Sequence, residues 1–276
     1  MKSSAPAAAR EHTPSRVLAV VPARLGSTRL ARKMLLRETG RYLFEHTFHA
    51  VARCSSITRV VLATDDEEML AAAREVGVEA RLTDPACPSG TDRVFEAFEA
   101  LERESGPFDV VINVQGDEPE IDAADLAALV AAFGAREVEA GTLAGPLESE
   151  EEAASGAVVK VVCDTRGDAL YFSRSVIPSR VHARAGADGL DRLRRHIGVY
   201  AFRPEALRAF RALAVGRLEA AENLEQLRWL EAGRRMRVVE AARVPRGVDT
   251  REDYEGFVRR WRAREGSAKD MRGARN

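Results

Sequence analysis

The chain has 276 residues, with 42 Lys plus Arg against 43 Asp plus Glu. That balance argues against a nucleic-acid partner, which would call for a basic excess or stripe. Apolar residues make up 45% and charged residues 31%, an ordinary globular composition that excludes wholesale disorder. Only four basic residues are lysine: Lys2, Lys33, Lys160 and Lys269. The first and last lie near the termini, so the body keeps Lys33 and Lys160 among arginines. A general bias toward Arg accounts for the skew but not for those two exceptions.

No apolar run reaches the roughly 18 residues of a membrane-spanning helix. The Ala-, Ser- and Pro-rich stretch from Met1 to Pro14 lacks the apolar core of a secretory signal and reads as a disordered tail. Cys54, Cys87 and Cys163 are far apart and show no CxxC spacing, so neither a disulfide framework nor a zinc site is supported. A reducing cytoplasm fits them best.

Arg16 to Pro22 is a short β-branched run that ends in a loop with Gly26, Ser27 and Thr28, as a buried parallel strand reads. Leu43 to Ala52 has helical spacing. Thr58 to Thr64 is a second strand, Glu67 to Val76 a helix, and Val78 to Leu82 a short third strand. Thr91 to Glu102 has helical period. Phe108 to Val114 is the strongest strand, and Ile121 to Phe133 is a helix that Asp122 or Asp125 can cap. Strands alternating with helices in this way predict βαβ units and a mostly parallel sheet.

The pattern then changes. Val158 to Cys163 and Ala169 to Ser173 read as a hairpin around a loop containing Gly167. Ser179 to Arg195 is polar and irregular. His196 to Phe202 is a strand, Leu218 to Ala232 a helix stopped at Gly233, Arg235 to Val244 a strand, and Arg251 to Arg262 a last helix. Glu265 to Asn276 reads as a frayed tail.

In an open parallel sheet, ligands bind beyond the carboxyl ends of the strands. Three segments land there. Pro22 to Lys33 is a small-residue loop with Arg24, Arg29, Arg32 and Lys33 around it, suited to a triphosphate or to a solvated turn. It is neither GxGxxG nor a Walker loop. Asp117 leaves the strongest strand, where it can hold Mg²⁺ or cap a turn. Asp249 lies before the final helix, as a second metal carboxylate or, like Thr250, an N-cap. The segments around Ser89-Gly90-Thr91, Tyr171 to Arg174 and Leu224 to Arg228 are also rich in small or polar groups, and each has a plain structural reading.

Together these segments, PARLGSTRLARK, ATDDEE, SGTDR, INVQGDEP, ALYFSRS, HIGVYAF, LEQLRWLEAG and GVDT, resemble the CMP-Kdo synthetases, the 3-deoxy-manno-octulosonate cytidylyltransferases. The resemblance covers about Val17 to Val258. It implies a Rossmann-like, mostly parallel α/β sheet of the GT-A-like nucleotidyltransferase kind, with a smaller mixed second lobe that contains the hairpin. It implies one catalytic domain over 15–264. Within it, 15–154 and 243–264 form the nucleotide lobe, and 155–242 form the sugar-acid and dimerisation lobe. The segments 1–14 and 265–276 are the tails.

The implied reaction is CTP plus Kdo giving CMP-Kdo and pyrophosphate for lipopolysaccharide synthesis, with Mg²⁺ as cofactor and a homodimer as the assembly. Nucleotidyl transfer needs charge neutralisation and in-line placement more than a covalent nucleophile. Carried over by position, Arg24, Lys33 and Asp117 are the catalytic set. Arg24, Lys33, Ser89, Gly90, Thr91, Arg93 and Gln115 hold the nucleotide. Tyr171, Arg174, His196, Glu225 and Gln226 fall on the sugar-acid pocket, Arg174 being a natural fork for a carboxylate. Asp117 and Asp249 hold the metal. His46, His49 and His182 match no motif and read as structural or surface residues.

Two departures stand out. The family usually reads R-L-P-G-K-P where this chain has Arg29-Leu30-Ala31-Arg32-Lys33-Met34, so the loop loses residues that pre-set its backbone. Ser155-Gly156-Ala157 replaces an Asn-Pro-Asn. Lys160, where the family also has Lys, reads as a structural ion pair or a substrate contact. The alternatives are the same chemistry on a related acid sugar such as 8-amino-Kdo, and a catalytically silent nucleotide-binding homologue. A GT-A glycosyltransferase would want a DxD motif that neither Asp65-Asp66-Glu67 nor Asp117-Glu118-Pro119 supplies.

Overall fold

In the computed structural model, the described residues are 13–26, 29–184 and 189–273, with the backbone alone for 192 and 267–273. Ser27, Thr28, nearly all of the N-terminal tail and part of the polar stretch before residue 195 lie outside them. The first strand, β1 (Val17–Pro22), is fully buried and alternates faces. Val17, Ala19 and Val21 enter one apolar cluster, while Leu18 and Val20 enter another. Beside it run β2 (Arg59–Thr64), β3 (Ala80–Leu82) and β4 (Val110–Val114), joined as β3-β2-β1-β4 in parallel. The expected βαβ order therefore holds.

Helices α1 (Leu43–Ala52), α2 (Glu67–Glu75) and α4 (Ala123–Ala132) cover one face of this sheet, and α3 (Gly90–Ser105) covers the other. Local chemistry sets several starts. Asp66 accepts the amides of Glu68 and Met69, Ser89 accepts that of Asp92, and Asp122 accepts that of Ala124.

Beyond β4 the sheet becomes mixed. β8 (Arg194–Phe202) pairs antiparallel with β4 and with β5 (Ala140–Pro146), and β9 (Arg237–Glu240) pairs parallel with β5. β5 is not among the expected strands, because its Ala- and Gly-rich sequence carries little β signal. Also unexpected are α5 (Glu150–Ala154) and α6 (Pro204–Ala212). β6 (Lys160–Cys163) and β7 (Ala169–Ser173) form the expected hairpin, with Gly167 at φ +82 in its loop, and β6 joins β8 through Lys160 and Arg195.

Two helix expectations need correction. Leu218 to Ala232 is not continuous but splits into α7 (Arg217–Glu222) and α8 (Gln226–Glu231) at left-handed Asn223. Arg174 binds the freed carbonyls of Glu222 and Asn223 there. The last helix, α9 (Arg251–Gly273), runs past Arg262 through the segment expected to fray, where no proline or strong cap stops it. Tyr254, Phe257 and Val258 pack α9 against Leu43 of α1 and Val248.

Lys160 ties the hairpin to the segments on either side of it. Its side chain is fully buried, and its ammonium donates to the carbonyls of Ser155, Val158 and Arg174 at 3.0, 2.7 and 2.6 Å. These bonds use all three ammonium donors, so the ammonium is a structural knot on backbone carbonyls, with no carboxylate paired to it among the described residues. Removing the ammonium while keeping apolar bulk strands three carbonyls. Lys160→Met is expected to cost about 2–4 kcal/mol, read as a lower urea midpoint. An unchanged midpoint would contradict the knot.

Candidate active site

β1 and β4 lie side by side, so the loops that leave their carboxyl ends meet. Gly116 donates its amide to the Pro22 carbonyl at 3.3 Å, and Thr47 donates its hydroxyl to the Gly116 carbonyl at 2.7 Å. A Cβ on Gly116 would lie 2.9 Å from the Pro22 oxygen, so this approach requires glycine. On the other side, the Val248 amide donates to the Asp117 carbonyl at 2.8 Å. That bond brings the segment before α9 to the end of β4.

Asp249 is not spent on capping α9, because Thr250 and Asp253 cap it together. The Asp253 carboxylate accepts the amides of Asp249 and Thr250, and the Thr250 hydroxyl accepts that of Asp253. The carboxylate of Asp249 is thereby free to face Asp117. Lys33 lies between them. Its ammonium donates to Asp117 Oδ2 at 2.5 Å, to the Val248 carbonyl at 3.0 Å and to Asp249 Oδ1 at 3.1 Å. Arg29 adds a bond to Asp249 Oδ1 at 2.8 Å. Three residues distant in sequence thus converge at the sheet edge.

The altered first loop explains how Lys33 is aimed. Arg32 is left-handed, at φ 53, a conformation that ordinarily favours glycine. A non-glycine side chain costs about 1 kcal/mol or more there. The guanidinium of Arg32 pairs with Glu68, and its carbonyl accepts the Leu35 amide that opens a 3-10 turn over Lys33–Leu35. The turn drives Lys33 inward, leaving it 8% exposed. Arg24, on the same loop, is exposed and has no hydrogen bond or ion pair among the described residues.

Gly90 lies against Gln115 and Pro22, where a Cβ would touch the Gln115 amide at 3.7 Å. Thr91, Glu225 and Gln226 line one small cavity with Tyr200. His196 lies 5.4 Å from the Tyr200 ring, with Thr142 on its Nε2 at 2.9 Å, and burial lowers its pKa to about 3. Its ring also meets Phe172 edge-on at 5.0 Å. Tyr171 is half-buried against the second core, where burial and Glu222 raise its pKa.

Three expected residues are occupied by the protein itself. Ser89 caps α3. Arg93 is buried and binds Thr83 and Asp65. The guanidinium of Arg174 binds the carbonyls of Gly156, Glu222 and Asn223, so its fork closes a helix end. His46 is also structural, wedged against Phe257 and Trp261 and bonded to Thr39.

Sequence reasoning passes over Asn113, Glu118 and Tyr200. Asn113 accepts a bond from Gln115 at 3.3 Å, but its buried Nδ2 has no partner. Tyr200 donates to Gln226 Oε1 at 3.0 Å, and the buried Gln226 Nε2 also has none. Two unpartnered amide donors near one strand pair are costly without a ligand or ordered water. Asn113 could have been found, since Asn is uncommon inside a buried β-branched strand.

Glu118 Oε2 is likewise buried without a partner. Burial, then the charge of Asp117, raises its pKa from 4.5 to about 8. The folded protein therefore holds this proton more tightly than the unfolded chain does. Stability is expected to fall as pH rises from about 4.5 to about 8, because the folded carboxyl resists ionisation there. Glu118→Gln should flatten this part of the stability profile in chelated buffer, measured by thermal unfolding at successive pH values. An identical slope in both proteins would contradict the assignment.

Comparison with known proteins shows the family. A family model described as cytidylyltransferase matches residues 18–237. The 3-deoxy-manno-octulosonate cytidylyltransferase of Anaeromyxobacter sp. (strain Fw109-5) is 47% identical over 241 residues, covering 87% of this chain and 94% of that protein. The Chlorobaculum tepidum protein of the same name is 43% identical over 252 residues, covering 90% and 98%. Among solved structures, CMP:2-keto-3-deoxy-manno-octonic acid synthetase complexed with CTP superposes with a TM-score of 0.83 at 36% identity, covering 91% of this chain and all 100% of that one. A 4-diphosphocytidyl-2C-methyl-D-erythritol synthase from Anaerococcus prevotii, at 15% identity and a TM-score of 0.57, shares the fold alone. On its family match, its relatives and its α/β architecture, the chain belongs to the 3-deoxy-manno-octulosonate cytidylyltransferases.

Proposed function

We propose that this chain transfers the cytidylyl group of CTP to the anomeric hydroxyl of 3-deoxy-manno-octulosonate, giving CMP-Kdo and pyrophosphate for lipopolysaccharide synthesis. The hydroxyl oxygen bonds to the α-phosphorus, and the bond to the bridging oxygen of the β-phosphate breaks. The observation that carries this reading is the meeting of Lys33, Asp117 and Asp249 at the carboxyl edge of the sheet. The 36% identical structure that covers nearly the whole chain is a complex with CTP.

The pair Asp117 and Asp249 fits a divalent cation. Both are hard oxygen donors, and the two already share one cationic centre, the Lys33 ammonium. We assign Mg²⁺ to this pair, since it is commonly held by one or two carboxylates together with substrate phosphates. When bound, such a cation supplies charge neutralisation at the α-phosphate and lowers the pKa of the attacking hydroxyl.

The rest falls to the chain's own groups. Arg24 and Lys33 neutralise the triphosphate, and Gln115, Gly90 and Thr91 border the nucleotide. Asn113, Tyr200, Gln226 and Glu225 offer amide, phenol and carboxylate groups to the polyol of the sugar acid. Arg174, tied to three carbonyls, shapes the edge of that pocket, and a carboxylate would have to compete for its fork.

We further propose a cytoplasmic homodimer that pairs through the hairpin lobe, where Leu170 is 62% exposed on β7. No described helix is long and apolar enough to cross a membrane. Light scattering tests the dimer, with the mass of two chains expected and that of one chain contradicting it.

The reaction is tested by pyrophosphate release across CTP, UTP and ATP and several acid sugars. CTP with Kdo is expected to be the preferred pair, and release only with another acid sugar would overturn the substrate. Asp117→Asn and Asp249→Asn are each expected to lower kcat by at least about 10²-fold with the fold intact. Near-normal turnover in either variant would remove the cation assignment.

A further inference from the structure

The ammonium that joins Asp117 to Asp249 occupies the very position assigned to a cation. We propose that Lys33 is a tethered counter-cation: in the free protein it holds the two carboxylates together and excludes a divalent cation, and it vacates them when a triphosphate offers it another anion. This rests on the assignment of Asp117 and Asp249 as the cation pair.

Four observations support it. First, the ammonium is saturated, its three donors going to Asp117 Oδ2, the Val248 carbonyl and Asp249 Oδ1. A divalent cation on the same two carboxylates would lie close to that ammonium, and the two positive charges would repel.

Second, the carboxylates cannot simply part. The Val248 amide is bonded to the Asp117 carbonyl, which pins the two segments, and Val248 itself is buried in the α1–α9 contact. Their repulsion must be offset by a positive charge from somewhere. Third, the other cation at the pair, the Arg29 guanidinium, is bonded to Asp249 alone, whereas the Lys33 ammonium is bonded to both carboxylates.

Fourth, the side chain can move while its backbone stays. The Lys33 carbonyl accepts the Leu36 amide at 3.2 Å, inside the turn that follows left-handed Arg32. Four flexible methylenes let the ammonium swing from carboxylate to phosphate about that fixed point. A planar guanidinium, held by its fork, would do so less readily. This supplies a reason for lysine at this position in a chain that otherwise prefers arginine.

The test is direct binding of Mn²⁺ by electron paramagnetic resonance, which reads the loss of the free-ion signal and needs no turnover. Wild-type protein without nucleotide is expected to bind Mn²⁺ weakly. Lys33→Gln and Lys33→Met should bind it about tenfold or more tightly, in the range usual for coupled sites. Lys33→Arg, which keeps a cation on the carboxylates, should bind it as weakly as wild type. Adding Asp117→Asn to Lys33→Gln should abolish the gain. Circular dichroism confirms folding, and the polar Gln variant stands in if Met does not fold.

If wild-type protein without nucleotide binds Mn²⁺ as tightly as Lys33→Gln, and Asp117→Asn removes that binding, the cation pair stands and the tethered counter-cation is overturned. If neither Lys33→Gln nor wild type with CTP binds Mn²⁺ through Asp117, the cation assignment itself falls, and this inference falls with it.

Discussion

Two carboxylates far apart in sequence share one ammonium, and like charges are not held so near each other without a cation between them. Lys33 supplies it. Asp117 belongs to the loop after β4, Asp249 to the segment before α9, and Lys33 to the loop after β1. One ammonium therefore joins the first loop, the central loop and the C-terminal helix. The pair has side-chain exposures of 9% for Lys33 and 24% for Asp117, so it is shielded enough to matter more than a surface salt bridge. Removing one partner would leave the other a poorly solvated charge.

The scaffold serves that contact. Parallel β1 and β4 bring their exits to the same edge, and glycine at 116 lets the two loops touch. Tyr254, Phe257 and Val248 fix α9 against α1, which sets where Asp249 can reach. The hairpin is held by a different polar device, a buried lysine that gathers three carbonyls. The two body lysines thus do opposite work. Lys160 is locked on neutral backbone, whereas Lys33 rests on groups it can exchange for others.

Much of the fold is legible in the sequence because its strands are β-branched and its helices periodic. β1, β2 and β4 announce themselves in this way, and the hairpin by its Gly-containing loop. What escapes does so for physical reasons. β5 is an Ala- and Gly-rich strand whose place is decided by its neighbours β8 and β9. The break at Asn223 depends on Arg174, a residue distant in sequence that receives the freed carbonyls. The site is legible as a set of positions but not as a set of contacts. The motifs point to Asp117, Asp249 and Lys33 separately. That Lys33 bonds both carboxylates, that Arg32 is left-handed, and that Arg93 and Arg174 are already bonded are tertiary facts. Glu118 and Asn113 escape because their unpartnered atoms exist only once the strands are packed.

The central claim is that one position at the sheet edge is shared between the Lys33 ammonium and a divalent cation. A crystal structure of the full chain with CTP and Mg²⁺ tests it most directly. The cation is expected on Asp117 and Asp249, with the Lys33 ammonium withdrawn to the triphosphate. Lys33 still bridging the two carboxylates beside a fully bound nucleotide, with the cation held elsewhere, would contradict it.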